Sequence, residues 1–589
     1  MAAAAYAKDL LNRVPPSKVE AERKIIDVLS SVGQCIYELH ITTQTTSTAV
    51  QNLGIEHRQQ KISQWLRPPD SSTNYNKALQ QRHKGSGFWF LEREDFLEWM
   101  TQQDSFLWLY GIPGCGKTIL SSTIIEHLDS TIRSQPFLYF YFDFNDTGKQ
   151  TLENMVRSLI AQLYYKREDT RHLLDSLLSS CQDGRQQPNC DLLCELFLHM
   201  LEKVKEVWIV LDALDECRTR KGPSTEGILL WIRDLLNSNQ RNVHLLVTSR
   251  PEQDIQAEFN EWTGSKSMVA IQSELISSDI HTYVHTRVRE GSRLKRWRSR
   301  QDVQDEIERT LIKKANGMFR WVACQLDVLE NCLDYRSLQE ALASLPKTLD
   351  ETYSRILHNI PHEHKLNAIR ILQFLTFSER PLTIAEAVDA VAVDTEENLS
   401  FNPKYRMPDP LEISQYCSSL VAVVSTEEHP NKENEGLVLQ LAHFSVKEYL
   451  TLGRLGKHNA QVFQEVAARA SISTVCLAYL LQLDGDVPTS IIRNTFPLAQ
   501  YSARYWMIHA AVAEGSNKTL QEFIKKFFCY NERSYKACYS LCKPDMPWVE
   551  ESAERLKNPS PLYYASFGDL ITTAKWLLDT GADVNAQGG

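Results

Sequence analysis

One segment constrains the fold of this chain more than any other: residues 106–118 read Phe-Leu-Trp-Leu-Tyr-Gly-Ile-Pro-Gly-Cys-Gly-Lys-Thr. An apolar run ends at a glycine-rich turn, and a lysine and a hydroxyl follow at the start of a predicted helix. Gly111, Gly114 and Gly116 can take backbone angles that a side chain forbids, so successive N–H groups can turn inward around phosphate oxygens. The pattern predicts a phosphate-binding loop between a strand and a helix; the alternative is a glycine-rich corner without a ligand.

The residues that close this loop are suited to a nucleoside triphosphate with its Mg²⁺. Lys117 is placed to reach the β- and γ-phosphates, and the hydroxyl oxygen of Thr118 can bind the metal. The helix that opens at Ile119 directs the positive end of its dipole at the same charge. We therefore predict that the nucleotide contacts are made by Gly111, Gly114, Cys115, Gly116, Lys117, Thr118 and Ile119.

A second buried strand is expected to carry the metal ligand. Residues 207–212, Val-Trp-Ile-Val-Leu-Asp, form a continuous apolar run of the kind buried in parallel sheets. Asp212 stands where this strand emerges, and we predict that it binds Mg²⁺ together with Thr118. A carboxylate just beyond the metal ligand could orient an attacking water, and Glu216 is the first choice for that role, with Asp215 as the second.

A third apolar run, Val-His-Leu-Leu-Val-Thr-Ser-Arg at 243–250, predicts another strand, which Pro251 ends. Arg250 would then stand at the carboxyl end of the strand, where it could sense the γ-phosphate. The alternative is a surface arginine at a strand end, because only the order of the strands would bring it to the phosphates.

Four motifs, GIPGCGKT, FLYFYFDFND, VLDALDEC and LLVTSRPE, in this order and spacing resemble the NACHT class of signalling NTPases, part of the STAND group. The resemblance is to the fungal branch with a nephrocystin-like P-loop domain. It implies that the Thr-Ser-Arg strand lies between the phosphate-loop strand and the magnesium strand, so that Lys117, Asp212 and Arg250 meet at one ligand. It also implies that this ligand is ATP or ADP with Mg²⁺.

Composition is that of an ordinary soluble protein. The chain has 589 residues of which 43% are hydrophobic, enough for several globular cores. Its 64 basic and 74 acidic residues give no overall positive charge to attract nucleic acid or an anionic membrane. Thirteen cysteines without a Cys-x-x-Cys pair indicate reduced thiols. Because neither a secretory signal nor a bilayer-spanning stretch is found, we expect a cytoplasmic protein with no nucleic-acid partner and no membrane span.

The predicted architecture is multidomain, α/β plus α: a P-loop NTPase with a parallel sheet, a helical lid, a winged helix, a helical region and a partial ankyrin repeat. The predicted segments are 1–66 (N-terminal helical segment), 67–86 (linker), 87–275 (NTPase), 276–360 (lid), 361–455 (winged helix), 456–556 (helical region) and 557–589 (ankyrin repeat). The helical stripe of the first segment comprises Ile25, Ile26, Leu29, Val32, Ile36 and Leu39.

Inside the NTPase segment, a strand is predicted at 137–144 and helices at 152–164 and 191–204. Asp143 ends that strand, and a structural or capping role is favoured because a lone strand-end carboxylate carries no mechanism of its own. In the lid, the basic run at 287–300 could contact nucleic acid. Without a recognisable binding fold, a solvated helix or loop is the preferred interpretation.

Residues 380–452 show the order of elements typical of a winged helix: a helix capped by Thr383 and running to Val393, a second helix at 411–420, a hairpin of 421–425 and 437–443, and a helix from Phe444. The second helix contains no arginine or lysine to meet phosphates or guanines, which argues against DNA binding.

The segment Leu-Ala-His-Phe-Ser-Val-Lys-Glu-Tyr-Leu at 441–450 resembles the winged-helix signature of the same family. The resemblance implies that His443 contacts the β-phosphate of ADP and holds a closed state. The alternative is a core histidine with satisfied hydrogen bonds. Residues 558–568 and 577–586 match the two helices and turn of one ankyrin repeat, the alternative being an ordinary helical hairpin. A full array of such repeats would bind a protein ligand.

These features imply a signalling switch that is closed with ADP, opens with ATP and then self-associates. Fungal relatives act in non-self recognition and programmed cell death, and slow ATP hydrolysis at most is expected. Two alternatives stay open. A nucleotide-binding scaffold without significant hydrolysis would bind tightly and release no phosphate, whereas an enzyme that transfers phosphate to a small substrate would turn over ATP rapidly when that substrate is present.

Overall fold

The computed structural model describes residues 2–13, 30–31, 34, 37, 40–43, 57–132, 135–223, 225–237, 243–262, 267–394, 400–425, 436–455, 457–543 and 560–585. They fall into two compact units, residues 1–68 with 175–188, and residues 69–174 with 189–589. In the first unit, Ala2–Asn12 and 57–66 are helical, and the Trp65 indole donates to the Gln186 carbonyl at 2.8 Å. The predicted apolar stripe between Ile25 and Leu39 lies outside the described residues.

The centre of the second unit is a five-stranded parallel sheet. Its strands are β1 (Phe106–Tyr110), β2 (Phe137–Tyr141), β3 (Val207–Asp212), β4 (Val243–Ser249) and β5 (Met268–Ala270), in the order β2-β3-β4-β1-β5. Strand β4 therefore lies between β1, which leads into the glycine-rich loop, and β3, which ends in Asp212, as the resemblance implied. β3 and β4 are buried along their whole length, which explains their uninterrupted apolar sequences. β2 ends three residues earlier than predicted, and β5 was not predicted.

Helices surround this sheet. They are Ser72–Gln81, Phe88–Leu91, Glu94–Thr101, Lys117–Thr131, Leu152–Lys166, Cys190–Leu201, Ile228–Asn237 and Gln253–Trp262, with short 3-10 turns at Thr147–Lys149 and Leu214–Glu216. The helix Glu168–Ser180 continues from the second unit into the first, which also contains the 3-10 turn Gln182–Gly184. The predicted helices at 152–164 and 191–204 are confirmed with small boundary shifts. The linker predicted at 67–86 is wrong in part, because a helix occupies Ser72–Gln81 and its Ala78 is buried.

The predicted lid is helical throughout: Ser277–Arg289, Gln301–Lys314, Phe319–Glu330, Tyr335–Ala343 and Leu349–His358, with a 3-10 turn at Lys295–Trp297. Carboxylates pair with four of the seven basic residues in the run 287–300. Arg287 and Arg293 pair with Glu330, Arg289 pairs with Glu308, and Arg300 pairs with Asp302. These pairs reduce the positive charge that the segment offers to a phosphate backbone.

The winged-helix segment contains helices His362–Phe377, Ile384–Val391 and Phe444–Thr451, strands β6 (Leu382–Thr383), β7 (Val393–Asp394), β8 (Ser400–Phe401), β9 (Val421–Ser425) and β10 (Leu437–Leu441), and a 3-10 turn at Pro403–Tyr405. The hairpin of β9 and β10 is confirmed, and β6 adds a third strand beside β10. Thr383 caps its helix in a reciprocal arrangement with Glu386, as its sequence position predicted, although the helix ends at Val391.

The helix predicted at 411–420 is wrong. Two 3-10 segments, Pro410–Tyr416 and Ser418–Leu420, stand there instead. The Asp409 side chain caps the first segment through the Leu411 N–H, and Cys417 interrupts the turn with φ −138°. Serine side chains in this segment compete for the backbone hydrogen bonds of a helix. The helical spacing of apolar residues at 411–420 was therefore not enough to form an α-helix.

The C-terminal helices are Lys457–Val462, Glu465–Leu480, Thr489–Thr495, Ala499–Ala513, Lys518–Lys525 continued by the π-helical turn Lys526–Tyr530, Glu532–Leu541, Pro561–Phe567 and Ile571–Asp579. Glu465–Leu480 and Ala499–Ala513 pack along each other and form the core of the predicted helical region. The last pair of helices forms a hairpin, followed by Gly581 at φ +91°.

Acid is expected to loosen this helical core through His509. The imidazole is completely buried, its Nδ1 lies 3.1 Å from Arg469 and its Nε2 3.2 Å from the Tyr501 hydroxyl. Burial, aided by the Arg469 charge, lowers the pKa of His509 to about 3. The folded state thus holds the neutral ring, and stability is lost as the pH falls below the unfolded value of about 6.5, by about 2 kcal/mol between pH 7 and pH 5.

Thermal unfolding of the wild type and of His509→Gln at pH 7 and pH 5 measures this acid sensitivity. The variant should start from a lower melting temperature, because glutamine does not reproduce the packed ring, yet it should lose less stability on acidification. An unchanged pH dependence in the variant would assign the acid sensitivity to other groups.

Candidate functional site

The phosphate-binding loop has the backbone that its glycines predicted. Gly114 and Gly116 have φ of +77° and +94°, in the left-handed region that favours glycine. Gly111 is required for a different reason, since a β-carbon there would lie 2.8 Å from the Sγ of the buried Cys115. The loop can therefore close tightly without a side chain obstructing its interior.

Lys117 is held at the mouth of this loop. Its Nζ donates to the carbonyls of Gly111 at 2.8 Å and Ile112 at 3.2 Å. The helix that begins at Lys117 is capped by Gly116 and contains Ile119 in its first turn, so its unpaired N–H groups face the same loop. Ammonium and helix terminus together provide a site for an anion.

Asp212 receives three hydroxyl hydrogen bonds at the carboxyl end of β3. Thr118 donates to Oδ2 at 2.8 Å, and Ser121 and Thr248 donate to Oδ1 at 2.5 and 2.7 Å. Burial raises the pKa of Asp212, while these hydroxyls and the Lys117 charge oppose that shift. The next residue, Ala213, has φ +56°, so the chain turns sharply away from the carboxylate.

Arg250 links the end of β4 to the winged helix. Its backbone N–H donates to Asp215 Oδ1 at 3.0 Å, and its side-chain Nε lies 3.2 Å from Asp215 Oδ2. Its Nη1 donates to both oxygens of Glu448 at 2.8 Å. The guanidinium also lies 4.8 Å from the centre of the Phe444 ring. Carboxylates from two domains thus balance the positive charge of this arginine, whose side chain is only 13% exposed.

Glu216 lies on the other side of the same turn. Its Oε2 accepts from the Phe144 N–H at 2.8 Å. Burial raises the pKa of Glu216 well above its ordinary value, and the neighbouring Asp215 and Asp143 carboxylates raise it further. A groove of about 610 Å³ is lined by both Asp215 and Glu216.

Asp143 has a structural environment, in line with its predicted role. It accepts from the Asn74 amide at 2.7 Å and from the Asn145 N–H at 2.8 Å. The nearby Lys149 ammonium donates to Thr73 and Asn74 of the helix Ser72–Gln81. These bonds fasten that helix to the edge of the sheet.

His443 caps the helix Phe444–Thr451 and faces several cations. Its Nδ1 accepts from the Ser445 N–H at 3.1 Å, which leaves Nε2 to carry the proton of the neutral ring. Burial lowers the pKa of His443 well below 6.5, and positive charges lower it further, from Arg320, Arg250, Lys117 and Lys77. The charges of Lys117 and Arg250 therefore act on one imidazole, and Lys117 also acts on Asp212, to which Thr118 donates a hydrogen bond.

Two contributors to this site were not predicted from the sequence. Arg320 belongs to the lid motif Gly-Met-Phe-Arg-Trp, and Lys77 belongs to the helix in the predicted linker, where its Nζ donates to Gln440 at 2.6 Å. The sequence around Arg320 and around Lys77 contains no motif that distinguishes these residues from surface cations.

The residues present fit a nucleoside phosphate with Mg²⁺. Loop N–H groups, Lys117 and His443 suit phosphate oxygens. Hydroxyl and carboxylate oxygens of Thr118 and Asp212 suit Mg²⁺, which usually takes few protein ligands beside phosphate and water. Among the described residues, no three histidine, cysteine or acidic side chains cluster to form a metal site of their own.

Comparison with protein families places two matches on this site. Residues 85–250 match the family described as nephrocystin 3, N-terminal, and residues 353–460 match the winged helix domain of GPI inositol-deacylase. The first match contains the phosphate-binding loop, and the second contains His443. With the parallel sheet, these findings make the segment from 85 to 250 a P-loop NTPase domain of α/β fold.

Two curated relatives are similar over longer segments. The azaphilone pigments biosynthesis cluster protein L of Monascus ruber is 33% identical over 264 residues, 42% of this chain and 55% of that protein. The vegetative incompatibility protein HET-E-1 of Podospora anserina is 25% identical over 351 residues, 58% of this chain and 25% of that protein. The chain thus spans about half of the first relative and a quarter of the second.

Solved structures resemble the chain only distantly. The ORC2 protein of Aeropyrum pernix has 12% identity and a TM-score of 0.26 and covers 63% of this chain and 89% of its own. A Walker-type ATPase of Pyrococcus abyssi has 12% identity and a TM-score of 0.27 and covers 60% and 93%. These scores carry no functional argument. Within the part of the chain that the structure describes, no helix has the length and apolar character to cross a membrane.

Proposed function

We propose that this chain is a nucleotide-dependent signalling switch of the NACHT class, closed with ADP and open with ATP. The observation that carries the proposal is a chain of contacts from the loop through the sheet to the winged helix. Thr118 of the loop and Thr248 of β4 both donate to Asp212, and Arg250, two residues beyond Thr248, donates to Glu448 on the helix that His443 caps. A bound phosphate chain can then decide whether these segments stay together.

Each predicted residue has a specific part in this proposal. Lys117 and the loop N–H groups bind the β-phosphate, and His443 holds the winged helix to it through Nε2. Bound Mg²⁺ would neutralise phosphate charge, with Thr118 and Asp212 as its protein ligands. Arg250, released from Glu448, would bind the γ-phosphate that distinguishes ATP from ADP.

Hydrolysis, if it resets the switch, would use Glu216 more readily than Asp215. Both oxygens of Asp215 contact Arg250, whereas Glu216 accepts from the Phe144 N–H through Oε2 alone and lines the groove from which an attacking water would come. A scaffold that binds nucleotide without hydrolysing it is the alternative, and single-turnover phosphate release distinguishes the two.

The energy needed for such a switch is accessible. Moving an equilibrium from about 1:99 to about 99:1 takes roughly 5.5 kcal/mol of differential binding. A few charge-assisted hydrogen bonds to phosphate, each contributing about 1.5–3 kcal/mol, could supply it. The bonds that Arg250 would form with the γ-phosphate contribute only by the amount by which they exceed the bonds to Glu448 that they replace.

The biological setting that we propose is fungal non-self recognition or programmed cell death, with self-association of the open form in the cytoplasm. The name of the Podospora relative, a vegetative incompatibility protein, supports this setting. We further propose that the helical hairpin Pro561–Phe567 and Ile571–Asp579 is an ankyrin-type repeat, which in a longer array would bind a protein ligand.

The decisive experiment is to identify the nucleotide that co-purifies with the protein and to measure the mass in solution before and after exchange into a non-hydrolysable ATP analogue. We expect ADP in the purified protein, a monomer before exchange and a larger assembly after it. Absence of any adenine nucleotide, together with no binding in a direct titration, would refute the proposal.

Replacing His443 by leucine is expected to weaken ADP binding about 10-fold, because a phosphate contact from the winged helix is lost. Leucine also removes the helix cap, so His443→Asn is the informative second variant: asparagine can still accept from the Ser445 N–H. Titration with a fluorescent ADP analogue should show weakened binding in both variants. Normal binding by His443→Asn would restrict the histidine to capping. His358→Leu, at an exposed lid position, is the control.

A further inference from the structure

Arg320 stands at the edge of the phosphate-binding loop. It is the second residue of the lid helix Phe319–Glu330, and its N–H lies 3.4 Å from the Gly114 carbonyl. A β-carbon on Gly114 would lie 2.7 Å from the Arg320 Cβ, and one on Gly116 would lie 3.5 Å from the Phe319 ring. The first turn of this lid helix therefore contacts two loop glycines directly.

The Arg320 guanidinium does not use all of its hydrogen-bond donors within the described residues. Nη2 donates to the Ser419 carbonyl of the winged-helix segment, but Nε is buried and has no hydrogen-bond partner among the described residues. No carboxylate of the described chain forms an ion pair with it, in contrast to Arg250, which contacts both Asp215 and Glu448. The Asp327 carboxylate acts on Arg320 only from beyond ion-pair distance. A buried charge with no carboxylate in direct contact and with an unused donor is costly, and an anion would reduce that cost.

The surroundings of Arg320 add to the positive potential. Its charge is the first, after burial, of the influences that lower the pKa of His443, and those of Arg250 and Lys117 follow. The Tyr353 hydroxyl, which lies 2.8 Å from Ser445 Oγ, is also a hydrogen-bonding neighbour of Arg320. Positive charges of the loop, the sheet and the lid therefore act on one imidazole, an electrostatic environment that suits a ligand with several negative charges.

We propose that Arg320 is a phosphate-binding residue supplied by the lid, and that its bond to the Ser419 carbonyl couples phosphate binding to the winged helix. This inference rests on the proposed nucleotide function. A guanidinium has five N–H donors in a planar fork, so Nε and one edge of the group can bind phosphate while Nη2 keeps the Ser419 carbonyl. Nucleotide would then hold the lid and the winged helix together through one side chain.

The test compares Arg320→Gln and Arg320→Lys with Arg309→Gln, which removes one exposed positive charge elsewhere in the lid. A fluorescent ADP analogue is titrated at several salt concentrations. Arg320→Gln should bind about 10-fold more weakly, and its affinity should depend less on salt because one charge contact to phosphate is missing. Arg320→Lys should recover part of the affinity, and Arg309→Gln should bind like the wild type.

Limited proteolysis gives a second readout of the coupling. ADP should protect the winged-helix segment of the wild type, and protection should be weaker in Arg320→Gln at saturating ADP. Equal affinity of wild type and Arg320→Gln, or weaker binding with an unchanged salt dependence and no recovery by lysine, would overturn the inference. A wild type that binds no adenine nucleotide would instead refute the proposed function itself.

Discussion

Replacing Lys117 by alanine is expected to reduce the affinity for ADP and ATP by about 100-fold or more, which is loss of binding at ordinary concentrations. The ammonium lies within the loop, bonded to the Gly111 and Ile112 carbonyls, and it is the only side-chain charge that the loop itself contributes. Removing a charge-assisted contact to phosphate costs about 1.5–3 kcal/mol, and loss of the local positive potential adds to that.

A matched control separates this effect from a general loss of charge. Lys313→Ala removes an exposed lysine from the lid helix Gln301–Lys314 and should leave nucleotide affinity unchanged. Isothermal titration with ADP and with a non-hydrolysable ATP analogue measures both variants. Retention of near-normal affinity by Lys117→Ala, with a folded protein, would mean that this loop is not the nucleotide site.

The central sheet could be predicted because its signals are local. β3 and β4 are buried on both faces, so their sequences are uninterrupted apolar runs that end in Asp212 and Arg250. The loop glycines could be read for the same reason, since the backbone angles of Gly114 and Gly116 depend on the residue itself. The position of β4 between β1 and β3 required the family resemblance, because strand order is a long-range property.

The failed predictions have a common physical origin. Residues 72–81 look like a polar linker, yet they form a helix that Asp143 and Lys149 hold against the sheet. Residues 411–420 have apolar spacing compatible with a helix, but Pro410 and adjacent serines favour tighter local turns. In both cases tertiary contacts or side-chain capping outweighed intrinsic propensity.

The difference between local sequence signals and tertiary contacts also explains which residues of the candidate site could be predicted. The loop residues, Asp212 and His443 could be named because motifs carry them. Glu448 could not be paired with Arg250 from the sequence, since 198 positions separate them and an acidic residue on a helix has many possible partners. Arg320 was missed for the same reason, because its relation to Gly114 exists only after the lid packs on the loop.

The pairing of Arg250 with Glu448 suggests how the closed arrangement is maintained. Asp215 orients the guanidinium from within the NTPase domain, and Glu448 binds it from the winged helix. An incoming γ-phosphate would compete with Glu448 for the same donors, as phosphate and carboxylate are both bidentate acceptors for arginine. Opening would then follow from substitution at one side chain, without a change in the fold of either domain.

Replacing Glu448 by glutamine should therefore release the winged helix and accelerate ADP dissociation about 30-fold, corresponding to about 2 kcal/mol for an ion pair that is largely shielded from water. The side chains are 13% and 23% exposed, so the value should lie above that of surface pairs. The ratio of ATP-analogue affinity to ADP affinity should rise, because Arg250 no longer has a competing carboxylate from the winged helix.

Stopped-flow release of a fluorescent ADP analogue measures this effect, with Glu412→Gln as the control for charge loss at an exposed position of the same domain. The double variant Arg250→Ala/Glu448→Gln should release ADP no faster than Arg250→Ala, since the second substitution has no partner left to affect. Independent, additive effects of the two substitutions would show that the ion pair does not restrain the winged helix. Slow release in Glu448→Gln would exclude the latch while leaving nucleotide binding by Lys117 intact.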